Sequence, residues 1–401
     1  MNRITFRRLD MGYFPTYRFP QTRTNPGAPM NITPLDCSRR IHCQPLDPDL
    51  MARAKPAFVT RRVDFSLARA LATQGVAPRP GDLVLARVTR VGQHKRIERP
   101  DGRRAHLFAG DLVLVAYGNR YAPDQFDGVV PEDLGPCALV AAGGIAAIER
   151  SRHRQVAAAT RLQPLGLLAT EEGRVLNLAD FALPRVQISS APAVPVIAVF
   201  GTSMNAGKTT ALARLTLGLT RAGRRVATAK VTGTGAGGDF WMMQDAGAVN
   251  VADFTDLGLA STAGVPLPEL ESVAAGLVNL SLQSAPDLVL LEVADGLLQA
   301  ETAALALSPC FRRLIDGVLF AAGDAMGAVA GAARLQAAGH RLLALSGSFT
   351  AAPLAIAEVA AGIDVPVLRK TELSDPECAS ALVDSLGRRA DGRDDETATT
   401  A

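Results

Sequence analysis

The stretch Val194-Pro-Val-Ile-Ala-Val-Phe200-Gly-Thr-Ser-Met-Asn-Ala-Gly207-Lys-Thr-Thr210 decides how the rest of the chain is read. Val196 to Phe200 is apolar on both faces and rich in β-branched and aromatic side chains, the pattern of a strand buried inside a parallel sheet. Gly201 ends the run, a loop of small residues follows, and a helical pattern starts at Lys208. Strand, glycine-bounded loop and helix together make an anion cradle, because loop amides and a helix N-terminus converge on one spot. Lys208 adds a full positive charge and Thr209 a hydroxyl suited to a magnesium ion. The common phosphate loop reads Gly-x-x-x-x-Gly-Lys; the spacing between Gly201 and Gly207 is one residue longer. The expected nucleotide-binding residues are Gly201, Thr202, Asn205, Ala206, Gly207, Lys208, Thr209 and Thr210. The alternative is a glycine-rich turn that binds nothing.

Beyond this stretch strands and helices alternate. Helices are expected over 208–222, 268–282, 325–338, 353–361 and 376–386, and strands over 226–231, 288–292, 317–322, 341–346 and 365–369. Such alternation predicts an α/β fold, here a C-terminal P-loop NTPase domain with a mostly parallel sheet over 195–387. Ligands in such sheets bind beyond the C-terminal ends of the strands. One strand there delivers Lys230, then a glycine-rich loop and Asp239. Another ends in Glu292, an acid after four apolar residues, where a carboxylate can hold magnesium directly or through water. Asp239, Asp245 and Asp295 are further candidates for the same ion, with helix or turn capping as the alternative. Trp241 and the neighbouring methionines read either as pocket lining or as a helix face in the core.

Gly201-Thr202 through Gly207-Lys208-Thr209, Lys230-Val-Thr-Gly, and Glu292 ahead of Gly296 together resemble dethiobiotin synthetase. They are also similar to cobyrinate amide synthases and other amidoligase-type members of the P-loop NTPase superfamily. The resemblance covers residues 195–372 and leaves 1–190 without a counterpart. It implies ATP and Mg2+ as cofactors, with Lys208 and Thr209 on the phosphates and the ion. It also implies Lys230 on the substrate's carbamate or acyl phosphate, and Glu292 as a magnesium ligand. Lys208 and Lys230 are the expected catalytic residues; Thr209, Glu292 and Asp239 are the expected metal ligands. The acidic residues of the synthetase loop are replaced here by Ser203 and Asn205, and its Glu-Gly-x-Gly-Gly turn by Glu292-Val-Ala-Asp-Gly, which argues against biotin synthesis. Ser203 also stands where partitioning ATPases of the superfamily carry an extra lysine.

Residues 31–190 read as a smaller, mainly-β domain with a leading helix over Asp64–Gln74, where Phe65, Leu67, Ala68 and Leu71 share a side. From Pro80 the period becomes two, with strands expected at 82–91, 103–108, 111–117 and 137–142 and a last hairpin around Glu172-Gly173. Short strands at this spacing predict a barrel or sandwich. His94, Lys95, Arg96, Arg103 and Arg104 form a basic cluster, but aromatic interleaving is missing, so a solvated surface is preferred over a nucleic-acid face. The polar and aromatic stretch Ala116 to Phe126 interrupts the strand pattern and is expected to reach toward the nucleotide domain, with Arg120 contacting substrate; domain docking is the alternative.

The chain has 401 residues, 48% of them hydrophobic and 5% aromatic, with a net charge of +3. This is a soluble α/β composition with no signature of nucleic-acid or membrane partners. Its five cysteines are odd in number and scattered, which fits a reducing cytoplasm. Cys37 and Cys43 with His42 suggest a metal, but no second ligand pair follows. Residues 1–30 read as a poorly ordered arm, or as upstream sequence if translation starts at Met30, and 388–401 as a disordered tail. The functional expectation is an ATP- and magnesium-dependent, ligase-type enzyme that phosphorylates a small-molecule carboxylate or carbamate. A nucleotide-dependent switch or cofactor-assembly NTPase is the alternative; the assembly is open, a homodimer included.

Overall fold

Two sheets, one closed and one open, share the site between them. The computed structural model describes residues 41–185 and 192–387. The arm at 1–30, Cys37, Ala191 of the expected linker and the tail at 388–401 lie outside the described residues.

The first sheet has ten strands. Its centre is Thr160–Ala169, which pairs antiparallel with Ala70–Gln74 on one side and Leu83–Arg90 on the other. Leu83–Arg90 pairs in turn with Leu112–Tyr117, which meets Ile145–Arg152 in parallel. Cys137–Ala141 joins Ile145–Arg152 back to Thr160–Ala169, so five strands close into a small barrel. Closure removes the open edges that make β-sheets prone to mispairing. Leu85, Val113, Leu139, Ala147 and Leu162 are among the buried residues that pack on its two faces. Ile145–Arg152 runs past the barrel and pairs with Phe126–Val129, which carries the short strand Arg120–Tyr121 on its far side. That hairpin is the stretch whose composition broke the strand pattern.

The second sheet has six strands: β1 (Val196–Gly201), β2 (Val226–Thr232), β3 (Asn250–Asp253), β4 (Leu288–Val293), β5 (Gly317–Ala322) and β6 (Leu342–Gly347). Their order is β3-β2-β4-β1-β5-β6 and every pairing is parallel. β1, β4 and β5 are buried along their whole length, which is why they read as unbroken apolar runs. The helices Lys208–Arg221 and Pro376–Asp384 pack on one face, and Leu267–Leu282, Ala300–Leu307 and Ala325–Ala337 on the other. The result is a mixed α/β protein with a large parallel sheet, whose two apolar cores sandwich β1 at the middle.

Two sequence expectations are corrected. The helix expected over Asp64–Gln74 is absent: Asp64 caps a short 3-10 turn at Phe65–Leu67, and Ala70–Gln74 is a strand. Ala70, Leu71 and Ala72 are paired on both sides, with His42–Pro45 and with Thr160–Ala169, and this two-sided pairing overrides local helical spacing. The leading helix of this region is instead Pro48–Arg53. The strand expected at 365–369 shrinks to one bridge between Leu345 and Val367, because Pro366 has no amide to extend the ladder.

The described residues from Ile41 onward pack as one unit. Arg61 is the main fastener. Its guanidinium pairs with Asp253 at 2.9 Å and Asp256 at 2.7 Å, and lies over the rings of Phe58 and Phe240 at 4.4 and 5.2 Å. A separate two-stranded hairpin, Arg96–Glu98 with Arg104–His106, also meets this side: Glu98 accepts a bond of 2.8 Å from the Gly237 amide, and Trp241 packs on Gly102, so the tryptophan belongs to that contact.

Candidate functional site

β1 ends at Gly201 and the chain turns through Thr202–Gly207 into the helix Lys208–Arg221. Gly207 sits at φ 101°, a left-handed conformation that costs little only for glycine. The amides of Gly207, Lys208, Thr209 and Thr210 donate to no backbone acceptor among the described residues. These orphan donors of a first helical turn stand where the sequence leads one to expect an anion cradle. The loop is braced from three neighbouring strand ends. After β4, the Leu297 amide bonds Gly201 O at 3.0 Å; after β5, the Gly323 amide bonds Thr202 Oγ1 at 3.2 Å. After β6, the Ser348 amide bonds Ala206 O at 3.0 Å. A loop held this way is preorganised, so little ordering entropy remains to be lost when an anion binds.

The expected nucleotide-binding residues therefore divide. Asn205, Gly207, Lys208, Thr209 and Thr210 line a cleft of about 420 Å³ at the C-terminal edge of the sheet. Gly201, Thr202 and Ala206 do not line it. The Thr202 hydroxyl and the Ala206 carbonyl are committed to the braces. Gly201 is bare because a Cβ would stand 2.6 Å from Cγ of Lys208. All three shape the loop from behind.

Lys208 is 5% exposed and donates to Ser203 O at 2.8 Å, so its ammonium lies inside the loop it serves. Burial holds it below the usual lysine range, with Glu292 and Asp295 opposing. The Thr209 hydroxyl donates to Glu292 Oε1 at 2.9 Å. Lys230 stands directly opposite Glu292 in the β2–β4 ladder and is ion-paired with Asp239. For Lys230 burial is the largest influence and pulls its pKa down, but Asp239 and Glu292 together outweigh it and raise it. Burial pushes the Glu292 carboxyl up to about 7, Asp239 adding to the rise while Lys230 and Lys208 oppose it. Lys208, Thr209, Lys230, Asp239 and Glu292, chosen from separate segments, thus meet in one cleft.

Asp295 lines the same cleft, while Asp245, at the far end of the helix Gly237–Asp245, does not. Asp239 is engaged with Lys230, so it fixes that ammonium. Thr209 hydroxyl and Glu292 carboxylate oxygens are a hard donor pair that suits magnesium, which takes few protein ligands and keeps water and phosphate oxygens for the rest. Among the described residues no three His, Cys, Asp or Glu side chains gather as a metal cluster.

Sequence reasoning missed two wall residues, Lys370 and Ser348, which carry no motif and arrive only through the fold. Arg120, expected near substrate, does line the cleft. Asp124 of the same hairpin accepts 2.7 Å from Asn205 Nδ2, tying it to the phosphate loop. Of the basic cluster, His94 is half-buried beside Arg120, Arg104 is paired with Glu98 at 3.1 Å, and Lys95, Arg96 and Arg103 are exposed. Among the described residues no helix is long and apolar enough to cross a membrane.

No protein-family model matches the chain, and no curated protein does. Solved structures do. The signal recognition particle receptor FtsY from Elizabethkingia anophelis, in complex with GDP, matches at 17% identity and TM-score 0.33, over 49% of this chain and 65% of its own. The signal recognition particle 54 kDa protein from Aeropyrum pernix K1, in complex with GDP, matches at 15% identity and TM-score 0.31, over 52% of this chain and 53% of its own. The chain thus spans less than two thirds of either protein. Both are signal recognition proteins, and matches at this level neither support nor exclude the narrower resemblance to dethiobiotin synthetase. Scores this low carry nothing about function; the P-loop architecture rests on the sheet and loop described above.

Proposed function

We propose that the chain binds a nucleoside triphosphate with magnesium at the Gly201–Thr210 loop and transfers its terminal phosphoryl group, to water or to a small molecule in the same cleft. The observation that supports this is the convergence of orphan amides at Gly207–Thr210 with Lys208, Thr209 and Glu292 at the C-terminal edge of a parallel sheet. Lys208 leaves Ser203 O to meet the phosphates, and the loop amides take their equatorial oxygens. Lys230, aimed by Asp239, stabilises negative charge that develops beyond the terminal phosphate. Magnesium, held by Thr209 and by Glu292 directly or through water, would neutralise phosphate charge.

ATP is the nucleotide taken from the sequence resemblance, and GTP is its competitor. Ligase-type activation of a carboxylate or carbamate is one form of this activity; a nucleotide-driven switch without a second substrate is the other. A thermal-shift and calorimetric panel of ATP, ADP, GTP and GDP with magnesium tests the core of the proposal. Wild type is expected to bind at least one triphosphate, and Lys208→Ala to lose that affinity about a hundredfold or more. An alanine variant that binds as tightly as wild type overturns it. Phosphate release that requires an added small acid marks the ligase form, and release without one marks the switch.

A further inference from the structure

We propose that Arg120 is an oxyanion receptor, supplied by the barrel hairpin to the wall of the cleft that faces the phosphate loop. The inference rests on the nucleotide-binding reading above and names the chemistry of the cleft's other ligand group: a phosphate or carboxylate.

Arg120 is 7% exposed and lines the cleft together with Lys208, Lys230 and Lys370. A buried guanidinium ordinarily satisfies most of its five N–H donors, because leaving them unpaired in a low-dielectric site is costly. Arg120 does not. Among the described residues its Nε has no partner, and the one polar contact of its side chain is Nη1 to His94 Nε2 at 3.4 Å. That contact is not a hydrogen bond. His94 Nε2 is also 3.0 Å from Val140 O, a pure acceptor, so Nε2 carries the ring hydrogen and donates it there. Burial, reinforced by Arg120, brings the His94 pKa down to about 4, so the ring is neutral at pH 7 and Nε2 has no lone pair for the guanidinium. The remaining neighbours do not supply acceptors. Phe126 offers its ring face at 5.8 Å, and Asp295 acts on Arg120 at a distance without forming an ion pair.

The side chain is also held in place. Arg120 pairs with Gly128 in the hairpin register, the Asn119 side chain bonds Val130 N at 3.0 Å and Ala263 O at 3.4 Å, and Asp124 is tied to Asn205. A fixed, buried, acceptor-starved guanidinium opening on a cleft is built for a ligand that brings its own oxygens, and the planar fork of arginine matches carboxylate and phosphate. The cleft's charges agree. Lys230 is cancelled by Asp239, leaving Arg120, Lys208 and Lys370 against Glu292 and Asp295.

Two sources can supply the oxyanion: the nucleotide's terminal phosphate or a second substrate. Calorimetry on the full chain with magnesium separates them. The probes are ATP, ADP, and inorganic phosphate or succinate titrated into the ADP-saturated protein, with GTP and GDP substituted if the panel selects guanine. Arg120→Met keeps an apolar stem over Phe126 and removes the charge; Arg120→Lys keeps the charge and is the reserve if the methionine variant does not fold. If the oxyanion is the terminal phosphate, Arg120→Met weakens the triphosphate about tenfold or more and leaves the diphosphate unchanged. If it belongs to a second substrate, both nucleotides bind as in wild type, while phosphate or succinate binding falls about tenfold or more. In both cases Arg120→Lys lies between wild type and the methionine variant. A folded variant whose triphosphate-to-diphosphate ratio and whose phosphate and succinate binding all stay within about twofold of wild type overturns the proposal. Because Lys208→Ala is read by loss of both nucleotides, failure of the receptor and failure of the nucleotide site give different results.

Discussion

Replacing Glu292 by glutamine is expected to make the protein more stable at alkaline pH while damaging its site. Glu292 is 3% exposed at the end of a strand whose other residues are apolar, and burial raises its carboxyl from 4.5 to about 7. A carboxyl raised in the folded state binds its proton more tightly there than in the unfolded chain. Between the two pKa values the folded state holds more protons, so stability falls as pH rises. The contribution is complete below about pH 4.5 and gone once pH has passed about 7. A shift of this size corresponds to about 3 kcal/mol, a large share of a typical total of about 5–15 kcal/mol. Glutamine keeps the shape and an acceptor for Thr209 but has no proton to lose. The assay is urea unfolding of wild type and Glu292→Gln at about pH 4 and about pH 8.5, without magnesium or nucleotide, so that titrations Glu292 does not influence cancel in the difference. Relative to the variant, wild type should lose about 3 kcal/mol between the two conditions. A difference that stays constant within about 1 kcal/mol, or changes in the opposite sense, refutes the argument that Glu292 is a buried carboxyl waiting for a cation. In the nucleotide panel the same variant should bind magnesium nucleotide more weakly than wild type.

Two further substitutions test the frame around the site. Leu71→Ala removes a side chain buried between two strands and should cost about 2–5 kcal/mol in urea or thermal unfolding; a cost under about 1 kcal/mol would mean the segment is not strand-paired. Gly143→Ala places a Cβ 2.0 Å from the Gly235 carbonyl oxygen, where the barrel meets the loop after β2. It should cost about 1–3 kcal/mol and weaken nucleotide binding by shifting the loop that follows Lys230; a neutral result would show that the two sheets do not touch there.

The phosphate loop was readable because everything that specifies it is local. An apolar run, small residues at fixed places and a helix start encode β1, Gly207 and Lys208 within a single stretch. That Lys230 and Glu292 would line the cleft was readable for a different reason: in a parallel sheet clefts open beyond the C-terminal strand ends, and both residues lie within two residues of such an end. Even there, sequence supplied residues but not partners. That Asp239 would cancel Lys230, or that the Thr202 hydroxyl would brace the Gly323 amide, depends on loop paths that no spacing rule contains. The segment at 64–74 failed because Phe65, Leu67, Ala68 and Leu71 fit a helical period, while the deciding interaction is pairing with a strand nearly a hundred residues away. Lys370 gave no signal, since it reaches the cleft only through the turn after Pro366. Arg120 gave a weak one: polar and aromatic residues where a strand pattern had been running.

The barrel changes what kind of site this is. If it were a separate module on a linker, its hairpin could swing away from the phosphate loop, and a second ligand would have to trap a closed state. Instead Arg61 sits between Asp253 and Asp256 at the end of β3, Glu98 holds the Gly237 amide, and Asp124 holds Asn205 within the phosphate loop itself. These contacts, two of them ion pairs with buried carboxylates, hold the hairpin against the loop. The cleft is therefore prebuilt from two sources. Its phosphate-facing wall is carried by the parallel sheet, whose loop is dictated by backbone geometry and tolerates little change. Arg120 and Ala122 of the opposite wall are carried by a hairpin supported on the outside of a closed barrel. If the oxyanion that Arg120 is proposed to bind belongs to a second ligand, exchanging residues 120–122 while keeping Asp124, which holds Asn205, should change which anion is accepted before it changes nucleotide affinity.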